Sequence, residues 1–560
     1  MFQYNFFKSI LTARCIIVII VIITFTSCVK NILDVKPLNS VSDADVWNDM
    51  ALTQAYVTNV YRTVPHGFTI NGAESFANFS DEARHRIRPD YDLINAGGIT
   101  PTAMSHLDLW IGTSDFPSYY TTISKCNRFF QNIDNSTLAS DIKNRLIGEM
   151  KVLRAYSYHR LISIYGGVPL ITKVFDLNDD FDLPRNTYEE CMAFIEKELT
   201  EAADLLPLSY DNANRGRITK GTALAVLSRA LLYAASPLNN QTNELVKWQK
   251  ASDAALKVIN LNNGMYKLFS DYKTLFLAAN SYNPEIIWAR LFNTSFNASL
   301  GREAYVELVL YPNGSGGFAR INPLHNLIDD YETLNGLQPE DDPSYNLQNP
   351  YIKRDPRFYA SILYDGAPFK GRFIETFIPK GADSNEGTIS PHNASTTGYY
   401  QRKFMDETIN NPSGDIAGNT PWPYFRLAEI YLNYAEAEYY LGNESACREY
   451  LNKIRKRPSV NMPDITQSGT ALLERLRNER KIELAFESHR WFDVRRWQIA
   501  HVTNNFAANR IRIVKDAAGN KTFSIVKIED RKFTNPTHYL MPIPQSEINK
   551  SSKLVQNSGY

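Results

Sequence analysis

Apolar residues recur every three or four positions along residues 42–262, and this spacing predicts amphipathic helices separated by turns. Thr187 and Glu190 form a capping box at the start of one apolar run. Thr219 caps the next helix, which is crowded with alanines, and another helix is expected from about Glu244. Because small side chains let helices approach closely, this half is predicted to consist of closely packed helices.

The same arrangement recurs in the second half, where helices are predicted at residues 424–441 and 445–456. Ala435 on the first of these helices could face Ala446 and Leu451 on the second. Such small-residue helix pairs are similar to tetratricopeptide repeats, although no strict repeat period is visible. The predicted fold is mainly α, with tetratricopeptide-like helix pairs stacked into a curved scaffold. An ordinary helical bundle is the alternative.

Residues 264–422 differ in composition, being rich in Asn, Gly, Pro, Ser, Tyr and Phe, and loops are expected to dominate there. A few short strands are predicted, at residues 285–290, 358–364, 510–514 and 522–528, the last two forming a hairpin around Gly519 and Asn520. Loops held on a rigid scaffold are common positions for binding groups. This loop-rich region and residues 72–118 are therefore the expected locations of a ligand site.

The first 27 residues have the pattern of an export signal. Lys8 and Arg14 accompany an apolar stretch at residues 16–25 that is too short to span about 30 Å of membrane hydrocarbon as a helix. Small residues directly before Cys28 resemble a bacterial lipobox, which predicts cleavage before Cys28 and lipidation of its sulfur. The alternative is a plain secretory signal followed by an incidental cysteine.

Overall charge argues against one class of partner, and the cysteine content argues against a disulfide or metal framework. The 60 basic and 60 acidic residues cancel, and the isoelectric point near 7.1 argues against a nucleic-acid partner. Beyond the export signal and Cys28, the cysteines are Cys126, Cys191 and Cys447, which are too far apart in sequence to indicate a disulfide or zinc framework. They are predicted to be buried small hydrophobic residues.

One stretch near the C-terminus, RKIELAFESHRWFDVRRW at residues 480–497, combines aromatic, acidic and basic residues at helical spacing. On a single helix, Glu487, Arg490 and Asp493 would place opposite charges side by side, and Ile482 and Phe486 would share a face. We refer to residues 480–497 as the signature stretch. It is predicted to be a partly buried ladder of ion pairs that fixes helix docking, rather than a catalytic site.

The signature stretch closely resembles the C-terminal signature of the SusD/RagB family, the lipid-anchored nutrient-binding proteins of the Bacteroidetes outer membrane. Further segments resemble family landmarks in the family's order, namely LRAY at 153–156 with YGGVPL at 165–170, FRLAEIYLNYAEA at 425–437, YLMPIP at 539–544 and QNSGY at 556–560. The resemblance therefore covers nearly the whole chain.

The resemblance implies an organisation and a function. The expected segments are a lipoprotein signal peptide at 1–27, an N-terminal helical region at 28–263, a loop-rich ligand-facing region at 264–422 and a C-terminal helical region at 423–560. The protein would be lipid-anchored in the cell outer membrane, facing the exterior, and would deliver oligosaccharide or polysaccharide to a SusC-like TonB-dependent transporter. Surface-exported relatives often carry several acidic residues after the lipidated cysteine, whereas here a lone Asp34 follows Cys28.

The sequence contains no catalytic or metal-binding motif that would favour a different function. The zinc-protease, nucleophile-elbow and phosphate-loop patterns do not occur in the sequence. The acidic run from Asp176 imitates a calcium loop, but Phe181 replaces the required glycine and Thr187 stands where a bidentate glutamate belongs. We therefore expect a protein that is not an enzyme and has no cofactor.

The resemblance also selects candidate ligand-binding residues. In relatives, the glycan-contacting residues follow a Ser/Thr-Asp-Glu landmark, matched here by SDE at 80–82, and lie in a later loop of the irregular region. The first segment supplies Asp81, Arg84, His85, Arg86, Arg88, Tyr91 and Trp110. The second segment supplies Tyr305, Tyr311, Phe318 and Arg320. Aromatic faces among these residues could stack on sugar rings.

The first segment carries arginines and a histidine where the starch-binding member of the family has aromatic residues. Because guanidinium pairs bidentately with carboxylate or sulfate, these residues favour an acidic or sulfated glycan. The alternative is that the arginines only order the loop by pairing with Asp81, Glu82, Asp90 and Asp92.

Three alternative functions stay open at this point. A peptide-binding receptor of the RagB type would have the same fold, charge and helix pattern. A glycan-active hydrolase would require paired carboxylates about 5–10 Å apart in a cleft. A purely structural transporter subunit would lack a ligand pocket beside the aromatic loops.

Overall fold

The computed structural model describes residues 43–68, 75–86, 89–104, 107–112, 118–292, 306–410 and 418–560. The predicted export signal, Cys28, Arg88 and Tyr305 lie outside these residues. The chain divides into two compact units, one formed by Met1–Tyr56 with Asn135–Leu138 and the other by Val57–Asp134 with Ala139–Tyr560. Within the smaller unit, the Ser136 hydroxyl donates a hydrogen bond to the Trp47 carbonyl.

Helices form most of the regular structure. Their bounds are α1 Asp43–Asn48, α2 Met50–Arg62, α3 Pro89–Asn95, α4 Tyr119–Ile133, α5 Ser140–Tyr165, α6 Tyr188–Leu205, α7 Lys220–Ala235, α8 Leu245–Ile259, α9 Val306–Leu310, α10 His325–Asp330, α11 Pro356–Ser361, α12 Leu427–Tyr440, α13 Glu444–Arg455, α14 Gly469–Glu483, α15 Arg490–Arg496, α16 Ala500–Thr503 and α17 Gln545–Ile548. Among the described residues, no helix combines the length and apolarity that crossing a membrane requires.

The long helices pack against one another in chain order. α4 packs on α5, α5 on α6, α6 on α7 and α7 on α8, and α8 then packs on α12, which packs on α13. Ala223, Ala225 and Ala230 on α7 are fully buried, so neighbouring helices approach closely. The predicted caps at Thr187 and Thr219 both form. The predictions of a mainly α fold and of stacked helix pairs are confirmed.

The second predicted helix pair also forms, with a small difference at its interface. Ala435 on α12 and Leu451 on α13 belong to one buried apolar cluster. The residue of α13 that enters this cluster beside them is Cys447, whereas Ala446 is only half-buried. The small thiol therefore occupies the position that had been expected for the alanine.

Strands are short, and they form two-stranded antiparallel sheets. Their bounds are β1 Ala83–His85, β2 Ile286–Arg290, β3 Ile321–Pro323, β4 Ile362–Leu363, β5 Pro368–Phe369, β6 Arg372–Phe373, β7 Tyr400–Gln401, β8 Trp422–Arg426, β9 Ala507–Lys515 and β10 Lys521–Asp530. The pairs are β1 with β3, β2 with β8, β4 with β7, β5 with β6 and β9 with β10. The predicted C-terminal hairpin is confirmed by β9 and β10.

Two predicted elements are corrected by the structure. Of the predicted strand at residues 358–364, residues 358–361 lie in helix α11 and only Ile362–Leu363 form a strand, β4. The helix forms because the Asp355 side chain accepts a hydrogen bond from the Arg357 N–H and Pro356 occupies the first helical turn. The helix expected at residues 424–441 begins only at Leu427. The residues before it form β8, whose backbone is paired with β2.

The signature stretch is not one helix, which corrects the prediction for it. α14 ends and α15 begins on either side of a bend in which Phe486 and Ser488 both have φ of 63°. The Phe486 N–H donates a 3.0 Å hydrogen bond to Glu82 Oε1, so a distant part of the chain fixes the bend. Ile482 and Phe486 therefore do not share a helical face.

The charges of the signature stretch are buried and paired. Asp493 accepts hydrogen bonds of 2.8 Å from both Arg480 and Arg496. Glu483 lies 2.7 Å from Arg426 and 2.8 Å from Arg457, which come from outside the stretch. Burial disfavours the charged form of Glu483, but these arginines outweigh it and hold its pKa well below its usual range. The ion pairs thus join several elements and dock the C-terminal helices, as predicted.

The three cysteines beyond Cys28 are free thiols in the protein interior, which confirms the prediction for them. Burial raises the pKa of the Cys191 thiol to about 11 and that of the Cys447 thiol to about 12. Because the thiolate is the reactive form, these cysteines are chemically inert packing residues.

Candidate ligand-binding face

Strands β1 and β3 bring together the two chain segments that the sequence analysis selected. Their antiparallel ladder ends with His85 opposite Ile321. At this end of the ladder, Arg86 directly follows β1 and Arg320 directly precedes β3. The two arginines are therefore neighbours. The positive charge of Arg320 contributes to lowering the pKa of Arg86, as expected for two guanidinium groups in proximity. We refer to Arg86, Arg320 and the nearby Phe318 as the arginine patch.

The arginine patch carries positive charge without a matching carboxylate. Arg86 is buried, and its Nε donates a 3.2 Å hydrogen bond to the Ala394 carbonyl. Arg320 is half-buried, with its guanidinium 5.2 Å from the Phe318 ring centroid. Among the described residues, no Asp or Glu oxygen lies within 4.0 Å of either guanidinium. Burial first and Arg320 second lower the pKa of Arg86, so an anion beside the pair would be stabilised.

The loop at residues 313–320 is held in place by Arg372 and Asp383. Fully buried Asp383 accepts hydrogen bonds from both Nη atoms of Arg372, each at 2.6 Å, and from the Gly314 N–H at 2.9 Å. Arg372 Nη2 also donates to Ser315 Oγ at 2.9 Å. This bidentate pair fixes the loop before any ligand arrives, which lowers the entropic cost of binding.

Two other charged candidates are paired with side chains of the protein itself. Arg84 forms an ion pair with Asp92 at 3.2 Å. The Asp81 carboxylate lies 2.9 Å from Lys481 and 2.7 Å from Arg490, and these cations hold its pKa well below its usual range despite burial. Arg84 therefore orders the loop through Asp92, and Asp81 connects the loop to the signature stretch. Contact of either residue with a ligand stays a prediction.

Four candidates lie in the interior and support the fold in this conformation, and their contact with a ligand stays a prediction. These residues are His85, Tyr91, Trp110 and Tyr311. Tyr91 packs 4.6 Å from the Phe79 ring centroid, and Trp110 packs 5.2 Å from that of Tyr165. The Tyr311 hydroxyl donates to the Ile409 carbonyl at 3.2 Å. Large aromatic side chains bury a large apolar area, so even those in loop-rich segments are stabilised in the interior.

Three residues at or beside the contacts that hold the loop at residues 313–320 were not predicted from the sequence. Arg372 and Asp383 brace this loop, and Phe373, directly after Arg372, leaves 67% of its side-chain surface exposed. Arg372 and Asp383 lie far from the loop in sequence, so no local motif marks them. The exposure of Phe373 follows from its place on the two-residue strand β6, which no apolar pattern reveals.

The acidic run from Asp176 is held by lysines. Asp179 lies 2.6 Å from Lys173, and Asp180 lies 2.8 Å from Lys553. Within the described part of the chain, no group of three or more His, Cys, Asp or Glu side chains is arranged to hold a metal ion. The arrangement at the arginine patch is suited to binding a polar anion between two guanidinium groups and an aromatic face.

Two family models match most of the chain. Residues 284–560 match a family model described as the SusD family, and residues 31–232 match one described as starch-binding and associating with the outer membrane. The curated starch-binding protein SusD of Bacteroides thetaiotaomicron is 26% identical over 78% of this chain and 76% of its own length.

Solved structures are similar along almost the entire chain. A SusD-like protein from Bacteroides fragilis is 30% identical, with a TM-score of 0.79, and the match covers 94% of this chain and 100% of that one. A SusD-like carbohydrate-binding protein from the same species is 28% identical, with a TM-score of 0.78, over 91% of this chain and 100% of that one. The likeness thus extends through both the helical and the loop-rich parts.

Proposed function

Because the chain belongs to the SusD/RagB family, we propose that it is an outer-membrane lipoprotein that binds a polysaccharide or oligosaccharide without cleaving it. The cargo class is supported by similar proteins, one described as carbohydrate-binding and another as starch-binding. The location is supported by the family description that includes association with the outer membrane.

The cargo is an acidic or sulfated glycan, and the observation that carries this proposal is the arginine patch. Arg86 and Arg320 are neighbours, and neither has a carboxylate partner among the described residues. A guanidinium group pairs bidentately with carboxylate or sulfate, and Phe318 beside it offers a face for the C–H side of a sugar ring. The braced loop under Phe318 holds this arrangement in place.

Calorimetric titration with a panel of oligomers tests the cargo. Uronic-acid and sulfated oligosaccharides should bind more tightly than neutral glucans of equal length. A preference for neutral glucans would contradict the acidic cargo and leave glycan binding intact. Binding of acidic peptides without any glycan would instead support the RagB-type function, since peptide carboxylates can occupy the same guanidinium pair.

Delivery to a SusC-like TonB-dependent transporter is the second part of the proposed function. A lipid on Cys28 would hold the protein at the exterior of the outer membrane and raise its effective concentration beside the transporter. The variant Cys28→Ser should lose outer-membrane retention, and the wild-type protein should co-purify with a transporter. Resistance of the protein to protease added to intact cells would contradict exposure to the exterior.

A further inference from the structure

A cavity separate from the arginine patch lies in the interior of the larger unit. Helices α4 and α5, strand β8 and the bend between α14 and α15 all contribute to its wall. Polar side chains in this wall include Tyr119, Arg160 and Ser488. The cavity accommodates objects the size of a few water molecules and is too small for a sugar ring.

The charges lining this cavity do not balance. Arg229 is neutralised by Glu429, with two hydrogen bonds of 2.6 Å. Glu487 is neutralised by Arg426 at 2.8 Å and by a lysine, Lys403, at 2.7 Å. Arg160, the remaining charged residue of the wall, has no such partner among the described residues, and it leaves one positive charge in the wall uncompensated.

Arg160 is held by neutral groups alone. It is only 7% exposed, its Nε donates to the Tyr119 hydroxyl oxygen at 3.3 Å, and its guanidinium lies 4.0 Å from the Phe492 ring centroid. No carboxylate oxygen of the described residues lies within 4.0 Å of it. A buried cation without a counterion is costly, so a negative charge from outside the chain would be strongly stabilised there.

Hydrogen-bond donors surround the same space. The Ser488 hydroxyl is buried and has no hydrogen-bond partner among the described residues. The Tyr119 hydroxyl accepts from Arg160, and its own proton is not used in a hydrogen bond to any described residue. Burial and neighbouring arginines lower the pKa of His66 and His489, so these two lining imidazoles are neutral. They therefore add no positive charge to that of Arg160.

We propose that this cavity is a binding site for a small monovalent anion of about the size of chloride, bound by the Arg160 guanidinium and the hydroxyls of Tyr119 and Ser488. The anion completes the charge balance of the wall and stabilises the packing of α5 against the bend that precedes α15. Its role is structural, and the site is independent of the nutrient that binds at the protein surface.

Thermal unfolding of the intact protein in chloride and in gluconate, at constant ionic strength, tests the proposal. Because an anion that binds only the folded state stabilises it by mass action, the wild-type Tm should rise by about 1–3 °C with chloride. Crystals soaked in bromide should show an anomalous peak between Arg160, Tyr119 and Ser488. Equal Tm values in the two salts would overturn the proposal, even if bromide enters the crystal.

Two variants locate the effect, and a third provides the control. Arg160→Met and the milder Tyr119→Phe should each lose the difference between chloride and gluconate. Arg154→Met removes another buried arginine of α5, one that is paired with Glu198 at 2.7 Å. It should lower Tm in both salts and keep the difference between them. Retention of the chloride effect in Tyr119→Phe and Arg160→Met would overturn the assignment of the site.

Discussion

The carboxylate of Glu82 accepts a 3.0 Å hydrogen bond from the backbone N–H of Phe486. Glu82 directly precedes strand β1, and Phe486 lies in the bend of the signature stretch. The hydrogen bond therefore connects the loop that leads to the arginine patch with the most identifying part of the sequence. Asp81 strengthens this connection through its ion pairs with Lys481 and Arg490.

Replacing Glu82 by Gln should change how stability depends on pH. Burial, with a smaller contribution from Asp81, raises the pKa of Glu82 to about 7. A raised pKa in the folded state means that the protonated form is favoured, so stability is lost as pH rises from about 4.5 through 7. The loss due to this group is about 3 kcal/mol. Glu82→Gln should match the wild type at pH 5 and exceed it at pH 8.

Urea unfolding at several pH values measures this difference in free energy. A parallel pH dependence in wild type and Glu82→Gln would show that Glu82 is ionised in the folded protein at neutral pH. Glu307 and Asp329 also have pKa values raised to about 7, so the variant should retain part of the wild-type slope.

Asp81→Asn should destabilise the protein by about 3–5 kcal/mol, because it leaves the buried charge of Arg490 uncompensated, whereas Lys481 keeps Asp330 as a partner. The pKa of Asp81 is depressed in the folded state, so its contribution is present above the unfolded pKa of about 4 and is lost as pH falls below it. Unfolding at pH 7 and pH 3 measures both effects. A loss of glycan affinity at unchanged stability would instead assign Asp81 to ligand contact.

Local signals in the sequence predicted the structure correctly where a side chain interacts with backbone only a few residues away. Thr187 and Thr219 cap helices because their hydroxyls lie three residues from the amides they accept from. The hairpin around Gly519 follows from turn chemistry and alternating apolar positions. These features need no knowledge of the rest of the chain.

Local signals failed where a distant partner decides the conformation. The bend at Phe486 depends on Glu82, and the strand that replaces the first turn of the predicted helix at 424–441 depends on pairing with β2. The sequence selected Arg86 and Arg320 separately, but only the β1–β3 ladder makes them neighbours. Burial of Tyr91 likewise depends on Phe79 and other packing partners that periodicity does not identify.

Removing either guanidinium of the arginine patch should weaken binding of an acidic glycan. Arg86→Gln and Arg320→Gln should each reduce affinity by roughly 10- to 100-fold, since a hydrogen bond to a charged group contributes about 1.5–3 kcal/mol. Calorimetry with a uronic-acid oligosaccharide measures the change. Binding should also weaken as salt is added, because Arg320 is partly exposed to solvent.

Lys527→Gln is the matched control for these two variants. Lys527 carries the same charge, is mostly exposed and pairs with Asp530 at 2.9 Å on β10. Its removal should leave affinity unchanged within error. An equal loss of affinity in Lys527→Gln would indicate a general effect of net charge and would contradict a specific site at the patch.

Arg372→Lys should loosen the loop that carries Phe318 without unfolding the protein. Lysine keeps the charge but cannot form the bidentate pair that Arg372 makes with Asp383, and it cannot reach Ser315 at the same time. The Gly314 N–H, which donates to Asp383 at 2.9 Å, should therefore exchange its hydrogen roughly 10-fold faster, because local opening costs about 1 kcal/mol less. Exchange measured on a peptide covering residues 311–322 reports this change, with the buried core of α7 as internal control. Unchanged protection at Gly314 would mean that the loop is held by its other contacts, and glycan affinity should then also be unchanged.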